Sequence, residues 1–151
     1  MNISLQLKDK PFVLEAKNPE GNTVMMDASP DIGGKNQGVR PTELLLMGIA
    51  GCSGIDILSI LAKQKQNVDS FQVNVSGDKE KIEFTNLFTK IYVEYSFTGE
   101  LDPEKILRAI ELSLGKYCSV SKTVEKVAAI SFGFKLNGRV ELERKEVASL
   151  G

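Results

Sequence analysis

The chain of 151 residues is 42% hydrophobic and carries 19 basic and 20 acidic residues for a formal net charge of −1, enough for a single domain over 1–151 with a sizeable core. Charges this balanced leave no electrostatic footprint for nucleic acid or an anionic membrane, so neither is expected as a partner. Two cysteines, Cys52 and Cys118, and no histidine are too few for a disulfide scaffold or a zinc site and exclude every Ser-His or Cys-His nucleophile pairing; no metal and no cofactor is expected.

Ile3, Leu5 and Leu7 alternate with polar residues, as do Phe12, Leu14 and Ala16, and Lys8-Asp9-Lys10-Pro11 separates the two runs. This pattern predicts a hairpin. Asn18-Pro19-Glu20-Gly21-Asn22 reads as a second turn into Thr23–Asp27, which makes the first third a three-stranded meander. Ala28–Val39, with Pro30, Gly33, Gly34 and Gly38, then reads as a loop. The N-terminus has no basic segment followed by an apolar core and cleavage site, so no signal peptide is expected and the chain is placed in the cytoplasm.

Arg40–Gln66 is the apolar centre of the chain. Pro41 suits a first helical position, Glu43 sets a negative charge at the positive end of the macrodipole, and Lys63 and Lys65 complement the other end. Apolar residues occupy almost every face between, the pattern of a helix wrapped by sheet or by a partner subunit. A membrane span needs about 20 apolar residues with few charges. Here the uncharged run is only Leu44–Ile55, closed by Glu43 and Asp56, so the helix is expected inside a water-exposed protein.

Phe71, Val73 and Val75 predict a strand that gives way to a polar stretch at Gly77-Asp78; Leu87–Phe97 predicts another, with Ile91, Val93, Tyr95 and Phe97 on one face. Asp102-Pro103-Glu104 caps and starts a helix carrying Ile106, Ile110 and Leu114, which Gly115 is expected to end. A short helix follows Cys118, and Ile130, Phe132, Phe134 and Leu136 form a further strand. The charged tail from Asn137-Gly138 is compatible with a strand, a helix or a frayed end. Strands flanking two helices without βαβ alternation define an α+β class.

The two thiols are the residues with chemistry to offer. Gly48, Ala50, Gly51, Ser53 and Gly54 surround Cys52 with small side chains. Each helix-interior glycine costs about 1 kcal/mol relative to alanine, which close packing or access to the thiol would account for. Cys118 reads either as a small hydrophobe at a helix junction or, near a helix start with Lys116 and Lys122 close in sequence, as a thiol whose thiolate is stabilised; lysines at such spacing more often form a solvated face.

RPTELLLMGIAGC on a long apolar helix, followed by YCSVSKT and a closing strand, resembles the family of osmotically inducible protein C and organic hydroperoxide resistance protein, over roughly Gly21–Leu136. The resemblance implies an α+β intertwined homodimer, its antiparallel sheets packed around the long helix. It further implies a thiol peroxidase site with Cys52 as nucleophile toward organic hydroperoxides, Cys118 as resolving thiol through a disulfide, and a dithiol reductant to reset it. The family's peroxidases add a glutamate ten residues before the nucleophile and an arginine from the preceding loop. Here Thr42 occupies the glutamate position, Glu43 follows one place later, and Arg40 is the nearby cation. On one straight helix Glu43 and Cys52 are separated by roughly 13 Å on opposite faces, so a composite site needs two chains packed antiparallel. The other function compatible with these residues is a non-enzymatic dimer that binds a small apolar ligand.

Overall fold

The computed structural model describes residues 1–150 and divides into two compact units, 1–45 and Leu46 onward. In the first, β1 (Ser4–Asp9), β2 (Val13–Lys17) and β3 (Thr23–Met26) form the expected antiparallel meander. The first turn lies at 10–12, two residues later than expected, because Lys8 and Asp9 extend β1 and Phe12 precedes β2; the second lies between Lys17 and Thr23 as expected, and the Lys10–Pro11 peptide is cis.

The loop after β3 is more ordered than its composition suggests. A 3-10 turn, Pro30–Ile32, starts it, and Val39 returns to form a bridge with Met26. Asp27 ties the loop together: its carboxylate accepts the N–H groups of Ala28, Lys35 and Gln37 at 2.8, 2.9 and 3.1 Å. Gly34 is required here because a Cβ would collide with the Ala28 carbonyl. Burial alone would raise the Asp27 carboxyl, but the N–H bonds from Gln37, Lys35 and Ala28, with the Arg40 charge, outweigh it and hold it below its ordinary value.

A depressed folded value means that this stabilisation is fully present above the unfolded carboxyl value of about 3.9 and is lost as pH falls through the folded value. The amide resonances of Lys35 and Gln37 are therefore expected to hold constant from neutral pH to about pH 5 and to shift only below about pH 4. Asp27→Asn should abolish that acid transition, which an NMR pH titration checks.

In the second unit, β4 (Ser70–Ile82), β5 (Thr85–Thr98), β6 (Ala129–Leu136) and β7 (Arg139–Glu146) form one sheet in that order. The polar residues from Gly77 onward do not leave β4. They extend it to Ile82, paired with Thr85–Lys90 across a register shift at Asp78/Lys79, because a long antiparallel partner satisfies the backbone whatever the side chains. The β5–β6 pair is parallel, joined by a helical crossover, so the sheet is mixed within an α+β fold. The charged tail resolves as strand β7, antiparallel to β6.

The central helix α1 (Glu43–Lys63) begins two residues after Pro41, the predicted first helical position, and ends three residues before Gln66, as helix ends commonly vary. The crossover contains α2 (Pro103–Leu112), whose cap Asp102 accepts the Glu104 N–H at 2.9 Å. Gly115 does not end the helical run as expected. A π-helical turn, Ser113–Tyr117, carries it on to α3 (Ser119–Val124), and Gly115 serves a different purpose. The C-terminal backbone crosses directly over it, with the Leu150 N–H on the Gly115 carbonyl at 3.0 Å and Ala148 O where a Cβ would stand.

One core unites these elements. Ile91, Val93, Tyr95 and Phe97 of β5, with Ile130, Phe132 and Phe134 of β6, pack against Ile106, Ala109 and Ile110 of α2 and Ile49, Ile57 and Leu61 of α1, all buried. On the other face of β5, Tyr92 donates to the Glu143 carbonyl at 2.8 Å and Glu94 pairs with Lys135 at 3.0 Å. The helix α1 is long and apolar enough, by length and composition, to cross a membrane, yet its Ile49, Ile57 and Leu61 stripe is built into this core. Its other face is uncovered: Met47, Ile55 and Leu58 are exposed, Ile55 by 72%.

Candidate active site

Cys52 stands in the middle of α1, with Asp56 one turn further on the same face. The third group arrives from the crossover. The π-helical turn re-aims the chain so that Cys118 N–H donates to Ser113 O at 2.8 Å, and Cys118 turns extended at the start of α3. There its sulfur takes the place of the usual capping oxygen and accepts the Ser121 N–H at 3.4 Å and hydroxyl at 3.2 Å. Gly48 helps the two helices approach, since a Cβ on it would touch Val120 at 3.4 Å.

The two sulfurs and an Asp56 carboxylate oxygen lie within 4.8 Å of one another. Ser119 Oγ is 4.0 Å from Cys52 Sγ, and Ser113 donates to Asp56 Oδ2 at 3.1 Å. Beneath the cluster, Tyr95 donates to Ser53 Oγ at 2.7 Å and Ser53 passes a hydrogen bond to Ile49 O at 2.7 Å. Burial pushes the Tyr95 phenol up, so it remains a neutral donor holding this part of α1 to β5. An open groove of about 540 Å³, lined by Asp56, Ile60, Lys63, Leu112 and Tyr117 among others, borders the cluster at Asp56.

The helix start and the two lysines do not lower the Cys118 thiol. Burial, together with the neighbouring Cys52 thiol, pushes the Cys118 thiol up to about 11, outweighing the two Ser121 hydrogen bonds. The lysines are engaged elsewhere: Lys122 Nζ bonds Ser149 Oγ and Glu125 at 2.6 Å each, and Lys116 lies over the Tyr117 ring. Cys118 is fully buried whereas Cys52 is half-buried. Brief treatment with iodoacetamide at neutral pH is therefore expected to add one alkyl group, at Cys52, with Cys118 modified only after unfolding. Peptide mapping reads the site.

Arg40 and Glu43 belong to the first unit and form a cluster of their own. Glu43 Oε2 accepts the Arg40 N–H at 2.8 Å, closing the helix start, while Arg40 donates to Gly38 O at 3.0 Å and Asn36 Oδ1 at 3.1 Å. Arg40 thereby anchors the preceding loop. The residue that sequence reasoning passed over is Asp56. Its signal was its spacing, four residues after Cys52 on a helix, which places both side chains on one face.

A thiol on a central helix, facing a second thiol that caps a short helix on the same sheet, defines a two-cysteine α+β protein. The chain belongs to the family of OsmC-like proteins, whose sequence model matches residues 34–133. It is 32% identical over 121 residues to protein YhfA of Escherichia coli K12, covering 80% of this chain and 87% of YhfA. Among solved structures, a hypothetical protein of Aquifex aeolicus VF5 is 25% identical with a TM-score of 0.77, covering 90% of this chain and 95% of that one. An organic hydroperoxide resistance protein from Elizabethkingia anophelis shares the fold at 15% identity, with a TM-score of 0.70 over 91% of this chain and 97% of its own.

Proposed function

We propose that the chain is a cytoplasmic, cysteine-dependent thiol peroxidase that reduces organic hydroperoxides as a homodimer. The observation that carries this reading is the approach of the two sulfurs to within 4.8 Å, one half-buried and one fully buried. Cys52, the thiol that solvent reaches, is the nucleophile. Its thiolate attacks the distal peroxide oxygen, the O–O bond breaks, and with one proton the alcohol leaves, so that Cys52 becomes a sulfenic acid. Cys118 then attacks that sulfur, the disulfide forms, and water leaves with the Cys118 proton. An external dithiol takes up the oxidising equivalents and restores both thiols.

Hydroxyls rather than cations surround the thiols within the second unit: Ser119 and Ser121 are the nearby donors. The cationic assistance in this reading comes from Arg40 of a second copy, with Glu43 orienting it as it does the Arg40 backbone here. Consumption of an organic hydroperoxide in the presence of a dithiol, compared between wild type and Cys52→Ser, tests the function. The reading requires turnover in wild type and its loss in the variant. A second reading, a non-enzymatic dimer binding a small apolar ligand, is favoured by the groove beside Asp56, where Ile60, Leu112 and Tyr117 offer apolar surface. Absence of turnover combined with saturable binding of an apolar fluorescent probe would favour it.

A further inference from the structure

We propose that Cys52, Asp56 and Cys118 form a three-ligand site for a thiophilic divalent cation of the zinc class. Counting cysteines and histidines excludes such a site because it leaves only two ligands. The helix supplies the third, since Asp56 follows Cys52 by one turn and α3 brings Cys118 to the same point. Zinc holds sulfur at about 2.3 Å and carboxylate oxygen at about 2.0–2.2 Å, so tetrahedral coordination sets ligand atoms somewhat under 4 Å apart. Here all three lie within 4.8 Å of one another, about 1 Å wider than that spacing.

Outer contacts suit the same role. Ser113 donates to Asp56 Oδ2 at 3.1 Å and orients the carboxylate; Ser121 N–H and O–H both point at the Cys118 sulfur. Among the described residues, Asp56 enters no ion pair, so no lysine or arginine neutralises it. Cys52 and Asp56 are partly exposed and Asp56 lines the open groove, which gives a metal its entry path and leaves a fourth position for water. Two sulfurs and one carboxylate favour zinc or cadmium over magnesium or calcium, which take oxygen ligands. Because the metal engages the sulfur lone pairs, occupancy withdraws Cys52 from attack on peroxide, a consequence that rests on the peroxidase reading.

The test uses the reduced full-length chain without hydroperoxide, so that its outcome is separate from that of the turnover assay. Zinc binding is read by competition with a chromophoric indicator, and cadmium binding by the ultraviolet thiolate-to-metal charge-transfer band. One metal per chain is expected, with the cadmium band present. Cys52→Ser and Cys118→Ser should each weaken binding by at least about 100-fold and Asp56→Asn by at least about tenfold, since outer-shell changes alone cost 10–100-fold. Wild type carrying the Cys52–Cys118 disulfide should bind no metal, a comparison that needs no substituted variant. Failure of reduced wild type to compete with the indicator, equal binding by disulfide-bonded wild type, undiminished binding by folded Asp56→Asn, or one metal per two chains would each overturn the assignment.

Discussion

One equivalent of an organic hydroperoxide is expected to lower the intact mass of the reduced chain by two hydrogens, through a disulfide between Cys52 and Cys118 of the same chain. A disulfide needs the sulfurs at about 2.05 Å, and the reduced chain already holds them within 4.8 Å of each other. Cys118→Ser removes the resolving thiol, so Cys52 should then accumulate as sulfenic acid and, with excess oxidant, as sulfinic acid, adding one and two oxygens. Cys52→Ser should show neither change at one equivalent, and its dithiol-dependent turnover should fall by at least ~10³-fold, the scale of losing a nucleophile. Intact mass spectrometry separates these products. A sulfinic acid on Cys52 in wild type at one equivalent would mean that Cys118 does not reach the oxidised sulfur in time.

The two faces of α1 are expected to respond oppositely to substitution. Ile57 is wholly buried in the core, so Ile57→Ala should cost about 2–5 kcal/mol through lost burial and the cavity left behind. That is a large share of the 5–15 kcal/mol typical of a native protein, and denaturant unfolding will register it as a lower midpoint. Ile55, two residues earlier, is 72% exposed in the chain. Ile55→Glu should change the stability of the isolated chain by no more than about 0.5 kcal/mol. In the proposed homodimer the same change buries a carboxylate, and sedimentation at micromolar concentration should show dissociation. If Ile55→Glu sediments as wild type does, the uncovered α1 face is not where two copies meet.

The small residues of α1 separate in the same way. Gly48 accommodates Val120, and Gly54 accommodates the Phe71 ring, where a Cβ would lie 3.1 Å away; Gly51 has nothing within 4 Å. Two of the three are thus explained by packing within the chain. Gly51 is the one left facing outward, where a second copy would approach.

Local pattern determined much of this protein. Two-residue alternation marked the strands of the meander, β5 and β6, and on β5 it also marked the buried face, because a strand buried on one side must place its apolar residues on that side. The apolar run after Arg40 marked the central helix, and Asp102-Pro103 marked the start of α2, because capping and the proline ring act over one turn. The family, too, was legible, since its two motifs keep their order and each holds one cysteine. Only the tertiary structure decided the rest. The polar half of β4 became strand because β5 was there to pair with it, and β6 lies parallel to β5 because the helical crossover returns the chain to the same end of the sheet. The π-helical turn brought Cys118 to Cys52 and Asp56, and burial there raised the thiol that a helix start would have lowered. Short-range periodicity reports which face a residue takes; the free energy of a buried thiol depends on what other parts of the chain exclude water from it, and no local window contains them.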